Sequence, residues 1–504
     1  MLASVVHVTT DTTNVPHPIG PGNPSASTPK KLRRDLPLIA VIGVSLATMA
    51  PSFGISTNPQ GMVPAVGAAV PVAFALATVG VLLVAYSFMR LSQRFDHAGA
   101  VYVQVGATLG PRTGVLTGWL LVGAYAMFGV LASIASGRFV SGLVKEFGGS
   151  TPPDSFAYAV ALIVLAGVTV LGLGTVKRST TILIVVEATT VLLIAVVAIF
   201  ILVHLMHGDG PQGQTLDMGV FQWSSANTPT QLLLGVTFGF LSFAGFEAAT
   251  TLGDEAKSPR KDIPRALIIV PIFAGIFFVL VSAVEVMGFG TSAAGVAAFE
   301  NSDSLMGDLA TTYLDSWVGD LITIGAMFSA ISATLACVVA SSRILFAYGQ
   351  DGIVPRRFGE LTRRQAPRNG VLFIAGTVAL IEIFAFLVLH APPLNVFIEA
   401  GSAGVIMILV VYLMATLGMT RWFFLSGRNE VPKWQIIFPI VAVLFLGYTL
   451  WCNFVPFPSG LDLWAPVVAL VVFIAGLVVA ARVKGIPSSI AGKANEEESL
   501  VESA

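Results

Sequence analysis

The sequence predicts an all-α polytopic membrane protein of twelve transmembrane helices, the first and sixth discontinuous. Three observations carry this expectation. Of 504 residues, 55% are hydrophobic and only 11% charged, with mean hydropathy +0.84, where a soluble chain carries about 25% charged residues. Between two polar ends lie twelve apolar segments long enough to cross a bilayer, which takes ~20 residues per helix. Two of these segments, five helices apart, are interrupted by proline and small residues at membrane depth.

In chain order, residues 1–35 are rich in Thr, Pro, Ser and Gly and read as a disordered polar tail. No apolar h-region precedes a cleavage site there. The spans are expected at 36–61, 67–90, 113–142, 156–174, 180–204, 229–252, 266–289, 317–347, 371–390, 394–418, 434–454 and 462–483, and 484–504 form a second polar tail. With the N-terminus in the cytoplasm, 25 of the 27 Lys and Arg fall on the cytoplasmic side, leaving only Arg138 and Lys145 outside. Positive residues concentrate in cytoplasmic loops. A wrong helix count would scramble that split, so it supports twelve spans and two cytoplasmic termini in the cell membrane.

The first span reads LPLIAVIGVSLATMAPSFGISTNPQGMV and breaks at Ala50-Pro51-Ser52-Phe53-Gly54. Proline removes an N–H and clashes with the preceding turn, and glycine permits unusual backbone angles. The sixth runs TFGFLSFAGFEAATTLGDEAKSPRKDIPRAL and breaks at Ala244-Gly245. Interrupted backbone at this depth is tolerated only where it packs in protein or lines a cavity. Breaks in corresponding positions of two halves point to an inverted-repeat transporter with its site between them. A half-helix starting near Phe53-Gly54 presents N–H groups and a positive dipole end to a solute carboxylate. The turn at Phe243-Ala244-Gly245 presents carbonyls to an ammonium, and Phe243 and Phe246 are placed to cover the solute. Tyr125 in the third span is a further candidate for the cavity.

Several stretches resemble the amino acid–polyamine–organocation superfamily of permeases. Ser242-Phe243-Ala244-Gly245-Phe246-Glu247, with Asp254 to Arg260 and Ile263-Pro264-Arg265, is similar to its sixth-helix signature. Arg94-Phe95, Ala98-Gly99, Tyr102 and Gly118-Trp119 resemble the start of its third helix. Ser342-Arg343, Tyr348, Asp351-Gly352 and Pro355 resemble the end of its eighth. The likeness covers about residues 36–483. It implies two inverted five-helix repeats, about 36–204 and 229–418, with two further helices at about 434–483, and secondary transport of an amino acid, with an amine, polyamine or exchanged amino acid as the alternative. The usual Gly-x-Gly break of the first helix is replaced here by Ala50 to Gly54. The lysine that many proton-coupled members carry in the fifth helix aligns with Thr190.

Glu187, one helical turn before Thr190, lies about 13 Å into the membrane, counting nine residues from Arg178. Intramembrane acids are functional by default, so Glu187 and Glu247 are the expected coupling groups, with proton symport ahead of sodium. Glu247 can instead cap the second half of the broken helix. Ser329 and Ser332 can supply hydroxyls to a sodium ion near Thr190. Glu285 is expected to snorkel to water, Glu382 to serve the scaffold, and Glu399 to sit at an outer gate.

Other classes find little support. The six histidines form no catalytic set and lie in tails or at helix ends, and no Gly-x4-Gly-Lys-Ser/Thr loop occurs. No enzyme activity, metal site or cofactor beyond the coupling ion is expected, and Cys337 and Cys452 read as small buried hydrophobes. The expected partners are a small-molecule solute and the lipid bilayer, without nucleic acid. A channel or non-transporting sensor on the same fold is the remaining competitor.

Overall fold

The computed structural model describes residues 36–95, 100–174, 177–222, 228–252, 256–362, 366–426, 431–455 and 457–483. Both polar tails, Ala98-Gly99 and the Asp254-Glu255 pair of the sixth-helix motif lie outside the described residues. Twelve helical spans are long and apolar enough to cross a membrane, each within a few residues of the expected segment except at helix ends: Leu38–Gly61, Val63–Arg94, Pro111–Gly148, Asp154–Gly172, Ile184–His207, Pro229–Thr250, Pro259–Phe289, Ser316–Gln350, Arg368–Leu387, Pro393–Leu425, Lys433–Cys452 and Gly460–Ala481. They are called spans 1–12 below.

Proline starts several of them. Pro111, Pro229, Pro259 and Pro393 each occupy a first helical position, where the missing N–H would be unpaired anyway. Span 6 also opens with a reciprocal cap, Thr228 and Gln231 each bonding the other's backbone N–H. Spans 3 and 6 are the most enclosed, with 83% of their apolar windows buried, against 28% in spans 11 and 12. Span 3 packs against spans 4, 8, 10 and 12, and span 2 against span 7. The core therefore centres on spans 3, 6, 8 and 10, and the last two helices lie at the edge.

Both expected breaks are present, but each is tighter than the sequence suggested. Span 1 runs as Leu38–Met49, turns at Ala50 with φ 51° and ψ 58°, and restarts at Pro51–Thr57. Ser52, Phe53 and Gly54 therefore belong to the restarted helix rather than to an unwound stretch, because Pro51 is pre-set for a first helical turn. Span 6 runs as Pro229–Phe243, opens at Ala244 and Gly245, and continues as a 3-10 helix over Phe246–Leu252. Only glycine suits position 245: φ is +104°, and a Cβ there would lie 3.1 Å from the backbone of Thr48. That close approach seats the break in span 6 directly beside the turn before Ala50.

Candidate functional site

Everything from Met49 to Val63 is buried, as are Phe243 and Gly245 to Glu247, so the two breaks form the inside of the protein. Glu187, on span 5 and 5% exposed, reaches the restart of span 1. Its Oε1 accepts the Ser52 N–H at 2.8 Å and the Ser52 hydroxyl at 2.9 Å. The Ser329 hydroxyl of span 8 accepts the Phe53 N–H at 3.4 Å. Pro51 has no N–H to offer, so both amides exposed at this helix start already have protein partners. The expectation of free amides awaiting a solute carboxylate is therefore corrected. A carboxylate does sit on the positive helix end, but it is the protein's own.

Glu247, 2% exposed, does the equivalent in span 6. Its Oε2 accepts the Gly245 N–H at 3.1 Å, capping the start of the 3-10 segment. Two tyrosines complete its shell: Tyr125 of span 3 donates to Oε1 and Tyr412 of span 10 to Oε2, each at 3.1 Å. Tyr125 thus faces the acid. Tyr412, absent from the sequence expectations, was detectable as the one tyrosine of an apolar helix, a residue type that finds a partner when buried.

The aromatics divide. Phe53 meets Phe139 of span 3 and Phe397 of span 10 edge-on, both at 6.4 Å. Phe243 packs edge-on against Phe278, and Phe246 against Phe88 and Tyr412. The latter two rings pack between helices. The Thr190 hydroxyl bonds the Val186 carbonyl in its own helix at 2.9 Å. Of the two serines proposed for a sodium ion, Ser329 accepts the Phe53 N–H, while the buried Ser332 hydroxyl has no partner among the described residues.

Three further acids depart from or refine the expectations. Glu285 is fully buried rather than snorkelling, and neither oxygen has a partner among the described residues. Glu382 accepts the Ser133 hydroxyl and so links span 9 to span 3, a scaffold contact as expected. Glu399 accepts the Ala465 N–H at 3.2 Å, at the start of the α-helix that begins at Trp464 in span 12.

Hydrogen bonds join neighbouring segments at both ends of the bundle. At the end away from most Lys and Arg, Arg138 donates to Gln60 Oε1 at 3.2 Å and to the Ser302 carbonyl at 2.9 Å, with its guanidinium 5.8 Å from the Phe397 ring. Gln60 in turn donates to the carbonyls of Phe299, Glu300 and Ser302. These bonds pin the segment joining spans 7 and 8 over the end of span 1. At the basic end, the Lys257 N–H bonds the Leu36 carbonyl at 2.8 Å. Tyr102 donates to Asp351 at 3.0 Å and Tyr348 to the Val115 carbonyl at 2.6 Å, so two of the sequence motifs meet there. An apolar groove of about 710 Å³ runs along spans 1, 5 and 7 on the bilayer-facing side and includes Pro51 and Glu187 in its wall.

Two broken helices meeting inside a twelve-span bundle, each restart capped by a buried acid, define a solute transporter built on discontinuous helices. The particular family follows from comparison: the amino acid permease profile matches residues 36–478, and the chain belongs to that family. It is 25% identical to the low-affinity putrescine importer PlaP of Escherichia coli K12, over 84% of this chain and 89% of that protein. It is 26% identical to the branched-chain amino acid permease BcaP of Lactococcus lactis, over 82% and 86% of the two chains. It is 26% identical to cationic amino acid transporter 3, mitochondrial, of Arabidopsis thaliana, over 73% and 58%.

Proposed function

We propose that this permease is a proton-coupled symporter that carries amino acids or amines across the cell membrane by alternating access, with both termini cytoplasmic. The relatives' names place amino acids and a diamine within the range of solutes. The observation that carries the coupling reading is the joint between Glu187 and Ser52. A carboxylate on one helix holds the restart of a broken helix through an amide and a hydroxyl on one oxygen. Charge-assisted hydrogen bonds are roughly twice as strong as neutral ones. Protonating Glu187 therefore loosens the joint and frees the second half of span 1 to move against span 5. Re-forming it after the proton leaves returns the transporter to its starting state.

The test is purified protein in liposomes under an imposed pH gradient. Glu187→Gln keeps the shape of the side chain and removes its titration. Gradient-driven accumulation is expected to disappear while the protein still folds and binds solute. Normal pH-driven accumulation by that variant would sink the coupling assignment. Saturable uptake driven by a sodium gradient alone would replace the proton with sodium.

A further inference from the structure

We propose that a lipid acyl chain occupies the apolar groove along spans 1, 5 and 7 and serves as the dry cover of the joint between Glu187 and Ser52; its consequence for transport rests on the coupling reading above. On span 5 the groove wall runs from Ile184 to Leu202, a rise of about 27 Å, close to the ~30 Å hydrocarbon core of a bilayer. Among the described residues of that wall, Glu187 alone carries a side-chain nitrogen or oxygen. A headgroup or a peptide would therefore find almost no partner there, and burying its polar groups would cost free energy. Ala188 and Ala195 keep the groove open on span 5. Leu192, Ile199, Ile276 and Leu280 in its wall are each more than half exposed. In a chain with twelve membrane spans, apolar side chains exposed at this depth meet hydrocarbon.

The dimensions decide between apolar occupants. Spread over its length of about 27 Å, a volume of about 710 Å³ leaves a mean section of about 26 Å². An α-helix about 10–12 Å across has a section at least about three times larger, so neither a second copy of this chain nor a single-span partner seats in the groove. A polymethylene chain one carbon wide, with carbon contacts at about 4 Å, fits. Pro51 and Glu187 lie in the same wall, so the occupant reaches the joint where the Glu187 carboxylate holds the Ser52 N–H and hydroxyl. Water in the groove would compete for those bonds. Hydrocarbon offers no competing partner, and hydrogen bonds strengthen in a low-dielectric setting. A seated chain therefore holds the restart of span 1 against span 5, and its departure loosens it.

The experiment places the full chain in sterol-free phosphatidylcholine liposomes doped with a phosphatidylcholine that carries a diazirine midway along one acyl chain. After illumination, labelled peptides are mapped by mass spectrometry. In wild type, labelling within 184–202 and 273–287 is expected to exceed that of spans 11 and 12, the spans with the smallest buried share, at least fivefold. Ala195→Phe puts a ring into the groove and is expected to bring the two regions level. Even labelling of the wild-type surface, or a groove label that Ala195→Phe leaves unchanged, overturns the site. The role as cover is read from the rise in melting temperature when phosphatidylcholine is added to the delipidated protein in detergent. That rise is expected to fall by at least half in Ser52→Ala, which weakens the covered joint; an undiminished rise overturns the role. Neither readout involves transport, so failed uptake with the groove label present would remove the transport reading and leave the lipid site standing.

Discussion

The two breaks solve one problem by different means. In span 1 the positive start of the second half is capped from another helix, by Glu187 on span 5, 135 residues away in sequence. In span 6 the cap comes from two residues further along the same chain, and tyrosines from spans 3 and 10 clamp it. A cap supplied by a neighbouring helix is a joint between two bodies: break it and the helices separate. A cap supplied locally and held by the most enclosed helix of the bundle stays with its own segment. On the proposed reading, the difference makes span 1 the moving break and span 6 the fixed one, with the coupling role at Glu187.

Substitutions can break or sharpen that contrast. Beyond the loss of coupling expected for Glu187→Gln, the largest effect is expected from Gly245→Ala. The methyl group would demand φ +104° of an alanine and crowd the Thr48 backbone, costing about 1–3 kcal/mol from the backbone conformation alone. Transport should be lost and the melting temperature in detergent should fall; an unchanged thermal profile would refute the fixed packing of span 6.

Next come Tyr412→Phe and Tyr125→Phe, each of which leaves a buried Glu247 oxygen short of a donor, at about 1–3 kcal/mol. Both are expected to lower thermal stability while preserving the pH-gradient response. The double variant should depart from additivity, since the two hydroxyls bond the two oxygens of one carboxylate. A lost gradient response in either single variant would shift the coupling role to Glu247.

Ser52→Ala removes one of the two bonds to Glu187 and keeps the amide, a change of about 1 kcal/mol. Uptake should fall severalfold and its pH dependence shift, with melting little altered. The smallest effect belongs to Ala50→Gly. Relief of the left-handed turn at φ 51° returns about 1–2 kcal/mol, partly offset by a more flexible unfolded chain. A modest change in melting temperature, of either sign, with a faster transport cycle, is the expected signature of a strained hinge.

Most of the architecture was legible in the chain. Pro51 and the Ala244-Gly245 pair marked both breaks, and Glu247 was legible as a cap of the second, whereas the cap that Glu187 places on the first was not. What misled was the extent of the first gap. Proline reads as a breaker, yet at a first helical position it starts a helix, so Ser52, Phe53 and Gly54 turned out helical. Glu285 was misplaced, fully buried where access to water was expected, because distance along a helix says how deep a residue lies, not which face it occupies.

Composition, apolar length and the placement of Lys and Arg determined by themselves that this chain spans a membrane twelve times, since the bilayer imposes those requirements on any sequence. The likeness in ordered motifs placed it among permeases. The tertiary structure alone decided which acid serves which break, because hydrogen bonds between residues 135 and 165 positions apart depend on how helices pack and rotate. Only packing showed that the amides expected to receive a solute's carboxylate are occupied by the protein's own.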